Sequence, residues 1–485
     1  MVLIICNSFR YAKAKRILCI ILVLNIVLLL INSGLLYLIY EPSSDKGWVS
    51  KVLGFMIEKK KAANVENSHR TTKLYHDLSS LRSKRLEEFL HGWRKTPEIC
   101  ESFLRNGPNS LADARNYMIS HPKKFIKDGE YAFIIEELGC QRFKEVLRYN
   151  THPISQEEHD FPLAFGIVMY RDVEQLERLL RAIYQPQNFY CVHVDLKASN
   201  AIHAGVKAIA SCFDNVIVPS NPVAVEWGHY TALKSHLICA EQLLLKSKKW
   251  KYFINLTGQE FPLLSNRHFV RVLKIFNGTN EIQGGLGQLE WDLDRWKYKW
   301  TYGRRGFTRT DIRKSVPPHN LKIEKGATHI IATRPFIDYC INNQIAKDYL
   351  AWLEDTFVPD EAFFSTLNHD KKICAPGGYY GDSSWKPFVA RSVNWNGQCG
   401  GKKVRTVCVM GISDIAPMLR GNRKFLVNKL YHDFEYLALD CLEGYQRKLV
   451  LMSRRNDFKF DEYFYRNLPQ VLCKECKICP NVLVR

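Results

Sequence analysis

From about Phe161 onward, short apolar runs alternate with amphipathic stretches along the chain. Leu163–Tyr170 is continuously apolar, as expected for a strand that is buried on both faces. In Arg171–Tyr184 the leucine and isoleucine residues recur at helical spacing, which predicts a helix with one apolar face. Further strands are predicted at Phe189–Asp195, Val216–Pro219 and Lys251–Leu256, and further helices at Ala201–Ser211 and Thr231–Leu245. This alternation predicts an α/β fold with a mostly parallel central sheet.

Polar residues follow two of the predicted strands. Asp195 ends the strand Phe189–Asp195, and the segment Gly258–Pro262 follows the strand Lys251–Leu256. Ligands of open parallel sheets bind beyond the carboxyl ends of the strands. Both places are therefore candidates for a ligand-binding edge.

The segment Ile17–Tyr40 contains no charged residue and is long enough, as a helix, to cross a bilayer core of roughly 30 Å. A cleaved signal peptide is the alternative, but its apolar region is only about 7–15 residues long and ends in small residues. Basic residues precede the segment, whereas Glu41 and Asp45 follow it, so the positive-inside rule puts the N-terminus in the cytosol. We predict an uncleaved membrane anchor.

The predicted organisation has four parts. Residues 1–16 form a cytosolic tail, 17–40 a transmembrane signal-anchor, 41–95 a polar and charged stem, and 96–485 a large lumenal domain. Thirteen of the fifteen cysteines then belong to an oxidising compartment, where disulfides persist.

The formal net charge of +20 raises the question of an anionic partner. A lumenal domain does not meet DNA or RNA, so nucleic acid is excluded as a partner. A solvated basic surface, a nucleotide diphosphate, a sulfated glycan and a membrane surface all stay open, because net charge alone does not distinguish them.

Motifs for several common chemistries are missing: the sequence has no P-loop, dinucleotide fingerprint, zinc-protease helix or nucleophile elbow. Asp292-Leu293-Asp294 has the D-x-D pattern with which many sugar-nucleotide enzymes hold a divalent ion. Its flanks do not resemble the end of a buried strand, and surface ion pairs with Arg295 and Lys297 are favoured over a metal site.

Two further segments could carry chemistry. Pro359-Asp360-Glu361 precedes a predicted helix, and from the residues alone we favour helix capping for its carboxylates. The stretch from Asn394 to Lys429 is basic, which is consistent either with a solvated face or with a clamp for a diphosphate leaving group.

Several segments resemble the core-2/I-branching β-1,6-N-acetylglucosaminyltransferase family, which is related to the peptide O-xylosyltransferases. They include FPLAFGIVMY, LERLLRAIYQPQNFYCVHVDLKAS, WKYFINLTGQEFPLLSN, VPDEAFFSTL, NWNGQC and VRTVCVMGISDIAPMLR, in family order between about Cys100 and Cys441. The resemblance implies a GT-A-like fold, a type II Golgi membrane protein with a catalytic lumenal domain, a UDP-sugar donor, and inversion without a metal ion or other cofactor.

The resemblance also implies roles for individual residues. Glu361 matches the catalytic base, Arg405 and Lys429 the basic pair that neutralises the departing diphosphate, and Asp195 an aspartate near the nucleotide. For the acceptor side, the matching residues are Glu281 and Arg295, which resemble residues that hold galactose, and Trp395, which resembles a ring near the acceptor.

The cysteines match a family pattern of disulfide bonds. The resemblance implies the pairs Cys100–Cys441, Cys140–Cys212, Cys191–Cys239 and Cys399–Cys408. Cys340, Cys374, Cys473, Cys476 and Cys479 are left over, and extra disulfides or intermolecular pairing are favoured over a zinc site, which leaves the oligomeric state open.

Departures from the family pattern concern the acceptor. The segment between Glu281 and Arg295 is longer than in the mammalian-type enzymes, Asp292 replaces an acceptor-binding lysine, and Gly397 replaces a tyrosine. We expect transfer of a β-1,6-linked sugar, foremost GlcNAc, to the GalNAc of core 1 O-glycans on glycoproteins. UDP-glucose or UDP-xylose as donor, or a catalytically silent glycan-binding homologue, are the alternatives.

Two glycosylation sequons begin at Asn255 and Asn277. Because Asn255 belongs to a predicted buried strand, we expect a glycan only on Asn277.

Overall fold

The computed structural model describes residues 86–87, 89–90, 96–106, 110–284, 290–303, 306–379, 387–395, 397–455 and 460–473. All of them belong to one compact unit, Leu86–Arg485. None of the described helices combines the length and the apolar character needed to cross a membrane. The predicted tail and anchor, residues 1–40, and nearly all of the predicted stem lie outside the described residues.

The strands are short and spread over the whole unit. They are β1 Leu163–Met169, β2 Phe189–Val194, β3 Val216–Ile217, β4 Tyr252–Thr257, β5 Glu260–Pro262, β6 Tyr298–Gly303, β7 Gly306–Arg313, β8 Ile331–Thr333, β9 Arg391–Val393, β10 Lys402–Val404, β11 Val407–Val409 and β12 Leu426–Asn428.

Helices precede, separate and follow these strands. They are α1 Glu98–Asn106, α2 Leu111–Ser120, α3 Glu130–Leu147, α4 Gln156–His159, α5 Val173–Ile183, α6 Asn200–Ser211, α7 Tyr230–Lys246, α8 Asn266–Phe276, α9 Glu290–Lys297, α10 Arg334–Asn342, α11 Gln344–Trp352, α12 Phe363–His369, α13 Ile412–Leu419, α14 Leu437–Arg455, α15 Glu462–Arg466 and α16 Pro469–Leu472.

The central sheet has the strand order β3-β2-β1-β4-β8. The first four strands run parallel, with Gly166 of β1 opposite Cys191 of β2 and Asn255 of β4, whereas β8 is antiparallel to β4. The predicted mixed α/β fold with a mostly parallel sheet is therefore confirmed. The predicted strand and helix ends differ from the observed ones by two residues or fewer.

Helices cover both faces of this sheet, because alternate side chains of each strand enter different cores. Phe165 and Ile167 of β1 pack in one core with apolar residues of α5, α6 and α8. Ala164 of β1, Cys191 of β2 and Phe253 of β4 enter a second core with residues of α7 and α10. Burial on both faces explains why β1 is continuously apolar and why β2 and β4 are mostly apolar in the sequence.

A second sheet has the strand order β5-β12-β9. The remaining described strands form two hairpins, β6–β7 and β10–β11. Strand β5 follows β4 after a two-residue turn and pairs antiparallel with β12. The second sheet therefore joins residues near the carboxyl end of β4 to the basic segment of the C-terminal third.

The four disulfide pairs implied by the resemblance are present in the structure. They are Cys100–Cys441, Cys140–Cys212, Cys191–Cys239 and Cys399–Cys408. Cys374 and Cys473 are also disulfide-bonded, while Cys340 is a buried free thiol. The first pair joins α1 to α14 and links the beginning of the domain to its last long helix.

The two sequon asparagines differ in exposure. Asn255 is 1% exposed, and its side chain donates to the Thr328 carbonyl and accepts from the Ile330 amide. Asn277 is exposed at the C-terminal end of α8. Glycosylation of Asn277 alone stays a prediction, and this difference in exposure supports it.

Candidate active site

Glu361 is the last residue of a 3-10 turn, Pro359–Glu361, and one residue separates this turn from α12. The turn is fixed from both sides, because the Val358 amide donates to the Gly228 carbonyl at 2.8 Å and the Gly326 amide donates to the Glu361 carbonyl at 2.7 Å. The residue at the N-cap of α12 is Ala362, and no side chain caps this helix. The helix-capping role that the residues alone favoured for Glu361 is therefore wrong.

The carboxylate of Glu361 binds a buried guanidinium. Nη1 of Arg295 lies 2.7 Å from Oε2 of Glu361, and Nζ of Lys325 lies 3.9 Å from the same oxygen. The side chain of Arg295 is 8% exposed and that of Glu361 is 24% exposed. Oε2 therefore holds the side chain in place, while Oε1 of Glu361 makes no hydrogen bond to any residue that the structure describes.

A second carboxyl group adjoins the first. The pKa of Asp360 is raised to about 6, chiefly by burial and further by the charge of Glu361, against a hydrogen bond with Thr328. The two neighbouring carboxyl groups are both partly exposed, and they differ in their partners, Thr328 for Asp360 and Arg295 for Glu361.

Arg295 reaches Glu361 from α9, and its guanidinium carbon lies 5.6 Å from the ring centre of Phe357. On the same helix, Asp294 binds Arg309 at 3.0 Å. Asp294 therefore forms a surface ion pair, as predicted, but its partner is Arg309 on β7 and not Arg295. The side chain of Asp292 lies outside the described residues.

Asp195 follows β2 and is 7% exposed. Its Oδ1 accepts from the amides of Lys197 at 2.9 Å and Val225 at 3.3 Å. Burial lowers the pKa of His193, so its neutral ring accepts the Val223 amide at 3.1 Å. These contacts fix the segment before α7 against the carboxyl end of β2, where the sequence predicted a ligand-binding edge.

Arg405 and Lys429 come from separate elements of the basic stretch. Arg405 is exposed in the turn of the β10–β11 hairpin, where it and Thr406 have φ values of 50° and 69°. Such left-handed conformations cost roughly 1–2 kcal/mol per residue for side chains other than glycine, and strain of this kind concentrates at functional sites.

Lys429 follows β12 and lies close to Arg405. Burial and then the charge of Arg405 lower the pKa of Lys429. Neither cation forms an ion pair with a carboxylate within the described ranges. Two neighbouring cations without a counter-charge form a ready site for an anion.

Tyr431 marks an extension of this basic site that the sequence reasoning missed. The cationic groups of Arg171, Lys402 and Lys429 lie 4.8, 5.5 and 5.6 Å from its ring centre. Arg171 is paired with Asp172 and with Asp433, whereas Lys402 has no carboxylate partner in the described part of the chain. The rule that pointed to Asp195 could have found Arg171, because it comes two residues after the end of β1.

The remaining acceptor-side candidates lie in different surroundings. Glu281 is completely buried, and its carboxylate accepts from the Val389 amide at 2.9 Å and from Nε2 of Gln470 at 2.5 Å. Trp395 is 49% exposed. The buried contacts of Glu281 hold the segment before β9 against α16, which gives this residue a packing role. Its role in binding galactose stays a prediction.

Comparison with known proteins gives a consistent family. The model of the family described as "Core-2/I-Branching enzyme" matches residues 163–419, a range that contains Asp195, Glu361 and Arg405. The human β-1,3-galactosyl-O-glycosyl-glycoprotein β-1,6-N-acetylglucosaminyltransferase 3 is 34% identical over 364 residues, which cover 72% of this chain and 82% of that protein.

Further relatives have related names. The human β-1,3-galactosyl-O-glycosyl-glycoprotein β-1,6-N-acetylglucosaminyltransferase is 34% identical over 331 residues, covering 65% of this chain and 77% of that protein. The Danio rerio β-1,3-galactosyl-O-glycosyl-glycoprotein β-1,6-N-acetylglucosaminyltransferase 4 is 34% identical over 336 residues, covering 66% and 77%. The chain described here belongs to the core-2/I-branching enzyme family and is a glycosyltransferase.

Proposed function

We propose that this enzyme transfers GlcNAc from UDP-GlcNAc, with inversion and without a metal ion, to the 6-hydroxyl of GalNAc in core 1 O-glycans. The observation that carries the proposal is the environment of Glu361, whose Oε2 is held by Arg295 while Oε1 has no hydrogen-bond partner in the described part of the chain. The names of the relatives, which specify β-1,6-N-acetylglucosaminyl transfer to galactosylated O-glycoproteins, support the donor and the acceptor.

The proposed chemistry is a single displacement. The acceptor hydroxyl oxygen forms a bond to the anomeric carbon of the donor as the bond from that carbon to the diphosphate oxygen breaks on the opposite face. Glu361 takes the hydroxyl proton, an action that typically contributes about 10²–10⁴ in rate. The bonding electrons leave with UDP, whose new negative charge develops at its β-phosphate.

Arg405 and Lys429 would stabilise that charge. Fixed cations aimed at a developing anion lower the barrier without reorganisation in the transition state. Their lack of a carboxylate partner in the described ranges supports this role, because a paired cation would first have to give up its counter-charge. The same cations would take the place that a divalent ion occupies in D-x-D enzymes.

The location of the enzyme is part of the proposal. The uncharged segment Ile17–Tyr40 supports a single-pass type II anchor, and the disulfide bonds support an oxidising lumen such as that of the Golgi apparatus. The parallel-rich central sheet with helices on both faces supports a GT-A-like fold.

The test compares donors and variants with the purified full-length chain in detergent. UDP-GlcNAc, UDP-glucose and UDP-xylose are offered with a core 1 disaccharide and a Ser-Gly peptide, with and without EDTA. We expect GlcNAc transfer that EDTA does not reduce and that falls about 10²–10⁴-fold in Glu361→Gln. Glu354→Gln, which changes an exposed carboxylate near the same turn, is the matched control. EDTA-sensitive transfer, or unchanged transfer in Glu361→Gln, would contradict the mechanism.

The cation site has its own test. Lys402 and Lys403 are neighbours on β10, so their side chains point to opposite faces of the hairpin, and only Lys402 contacts Tyr431. We expect UDP binding, measured by calorimetry, to weaken at least about tenfold in Lys429→Met and roughly threefold in Lys402→Met. Lys403→Met should bind UDP like the wild type, and an equal loss in both β10 variants would show a general charge effect.

A second donor is suggested by the sequence. The segments NWNGQC and PDEAFF lean toward the related peptide O-xylosyltransferases. Glucose or xylose transfer by the same displacement is therefore the second candidate, and the donor comparison above decides between them.

A further inference from the structure

Glu260 is a completely buried carboxylate at which several segments of the site meet. Its Oε2 accepts from Nε of Arg391 at 2.6 Å. Its Oε1 lies 3.0 Å from Nδ2 of Asn428, 3.2 Å from Nε2 of His329 and 3.3 Å from Oγ1 of Thr257. An ionised carboxylate only accepts hydrogen bonds, so all four groups donate to it. This one side chain therefore joins β4, β9, β12 and the segment before β8.

The bond to Asn428 leads to the proposed cation site. Asn428 is the last residue of β12, is 8% exposed and lies opposite Glu260 in the pair of β5 and β12. Lys429 follows it directly, and the Leu430 amide donates to the Gln259 carbonyl at 2.9 Å. The backbone of Lys429 is thus held by a side-chain bond on one side and a backbone bond on the other.

The bond from the same carboxylate to His329 leads to the candidate base. His329 is 7% exposed and belongs to the same segment as Gly326 and Thr328. The Gly326 amide donates to the Glu361 carbonyl at 2.7 Å, and the Thr328 side chain is hydrogen-bonded to Asp360. The segment that contains the histidine therefore fixes both acidic residues of the turn.

Asn255 of β4 fixes the backbone on both sides of His329. Its Nδ2 donates to the Thr328 carbonyl at 2.8 Å, and its Oδ1 accepts from the Ile330 amide at 2.7 Å. Its own carbonyl accepts from Nη2 of Arg391, whose Nε binds the central carboxylate. A buried polar network in which the members are hydrogen-bonded to each other favours one arrangement of its residues. The cation site and the turn of the base are thus joined by one continuous buried network.

We propose that Glu260 is a positioning residue that holds Lys429 and the turn of Glu361 in the relative placement that the displacement requires. This inference rests on the proposed transferase function, because Lys429 and Glu361 are the leaving-group cation and the base of that reaction. In an inverting displacement both groups act at the same time on opposite faces of the anomeric carbon, and a misplacement of about 1 Å can cost about 10²-fold in rate. Glu260 itself is completely buried and takes no part in the displacement.

The test breaks each side of the network separately in the full-length chain. Asn428→Ala removes the bond on the cation side, and we expect the Kd for UDP, measured by calorimetry, to rise about 3- to 10-fold. Thr328→Val keeps the shape of the side chain but removes the bond to Asp360. We expect it to lower kcat about 3- to 10-fold and to change the Kd for UDP less than about twofold.

Glu260→Gln addresses both sides at once. It should raise the Kd for UDP and lower kcat, and adding Asn428→Ala to it should not weaken UDP binding further, because both changes act through the same bond. Glu158→Gln is the matched control, since Glu158 is also completely buried and accepts from Asn266 and Ser155 in a separate cluster. The control should lose stability in denaturant unfolding and keep the wild-type Kd and kcat.

The outcomes separate a positioning role from a structural one. Equal changes of Kd and kcat in Glu158→Gln and Glu260→Gln, or wild-type UDP affinity in Asn428→Ala, overturn the proposal. If Glu260→Gln does not fold, the contrast between Asn428→Ala and Thr328→Val decides, and loss of that contrast overturns the proposal.

UDP binding also separates this inference from the proposed function. A wild type that binds UDP but transfers no sugar, with UDP weakened in Asn428→Ala and Glu260→Gln, supports the hold of Glu260 on Lys429 while the proposed function fails. A wild type that transfers GlcNAc, with unchanged Kd and kcat in Glu260→Gln, overturns the positioning role alone. A wild type with no affinity for UDP overturns both.

Discussion

Two glutamate–arginine pairs in this enzyme have nearly the same geometry and different surroundings. Arg391 Nε lies 2.6 Å from Glu260, and Arg295 Nη1 lies 2.7 Å from Glu361. Both side chains of the first pair are completely buried, and Glu260 also interacts with His329 and Asn428. Glu361, in contrast, is about one quarter exposed and has one oxygen without a described partner. The two carboxylates therefore differ in how fully their oxygens are hydrogen-bonded.

The buried pair also has a distinct protonation behaviour. Burial alone would raise the pKa of Glu260, but the charge of Arg391 and the interactions with His329 and Asn428 outweigh it and lower the pKa to about 2. Arg391 further donates to the Asn255 carbonyl, so the pair joins β5, β9 and β4. A carboxylate held this firmly as an anion is a poor proton acceptor near neutral pH.

Breaking the buried pair should give the largest loss of stability. Arg391→Met leaves Glu260 as a buried charge without its main counter-ion, which typically costs about 3–5 kcal/mol. Denaturant unfolding monitored by tryptophan fluorescence measures this loss. A loss below about 1 kcal/mol would mean that His329 and Asn428 suffice to hold the carboxylate.

Breaking the partly exposed pair of Arg295 and Glu361 should reduce the reaction rate more than the stability of the fold. In Arg295→Met, Lys325 still lies near Glu361 and solvent reaches the carboxylate, so we expect a stability loss below about 2 kcal/mol. The turnover number should fall roughly 10- to 100-fold because the base loses its fixed position. Arg295→Lys, which keeps the charge, should recover part of the activity, and equal stability losses in Arg295→Met and Arg391→Met would remove the contrast between the pairs.

The smallest expected effect is a change in the free energy of unfolding at acidic pH. Because the folded-state pKa of Glu260 lies below its unfolded value, its contribution to stability is complete above about pH 5 and is lost as the pH falls toward 2. The difference in unfolding free energy between the wild type and Glu260→Gln should therefore narrow by about 1–2 kcal/mol between pH 5 and pH 3. Glu354→Gln, at an exposed position, should show no such narrowing.

The sequence predicted the central sheet well where strands are buried on both faces. β1 is a continuous apolar run of seven residues, β2 and β4 are mostly apolar runs of six, and their predicted ends are close to the observed ones. β5, β9 and β12 have only three residues each, too few to show a period of two, and β5 pairs with β12 across more than 160 residues of sequence. The second sheet was therefore missed.

The candidate site was predictable only in part. The residues alone favoured capping for Glu361, because its partner Arg295 is 66 residues earlier and no local pattern connects them. The family resemblance supplied Glu361, Arg405 and Lys429. The packing of Trp227 and Phe307 against Phe357 was missed because these rings come from three separate segments that only the folded chain brings together.

The disulfide between Cys100 and Cys441 has a consequence for biosynthesis. The two cysteines are 341 residues apart in the sequence. Because ribosomes add about 5–20 residues per second, Cys441 is synthesised roughly 20 to 70 seconds after Cys100. During that interval, Cys140, Cys191, Cys212 and Cys239 are synthesised and could pair with it wrongly. The correct bond can close only after α14 has been made, so a truncated chain that ends before α14 lacks the native partner of Cys100.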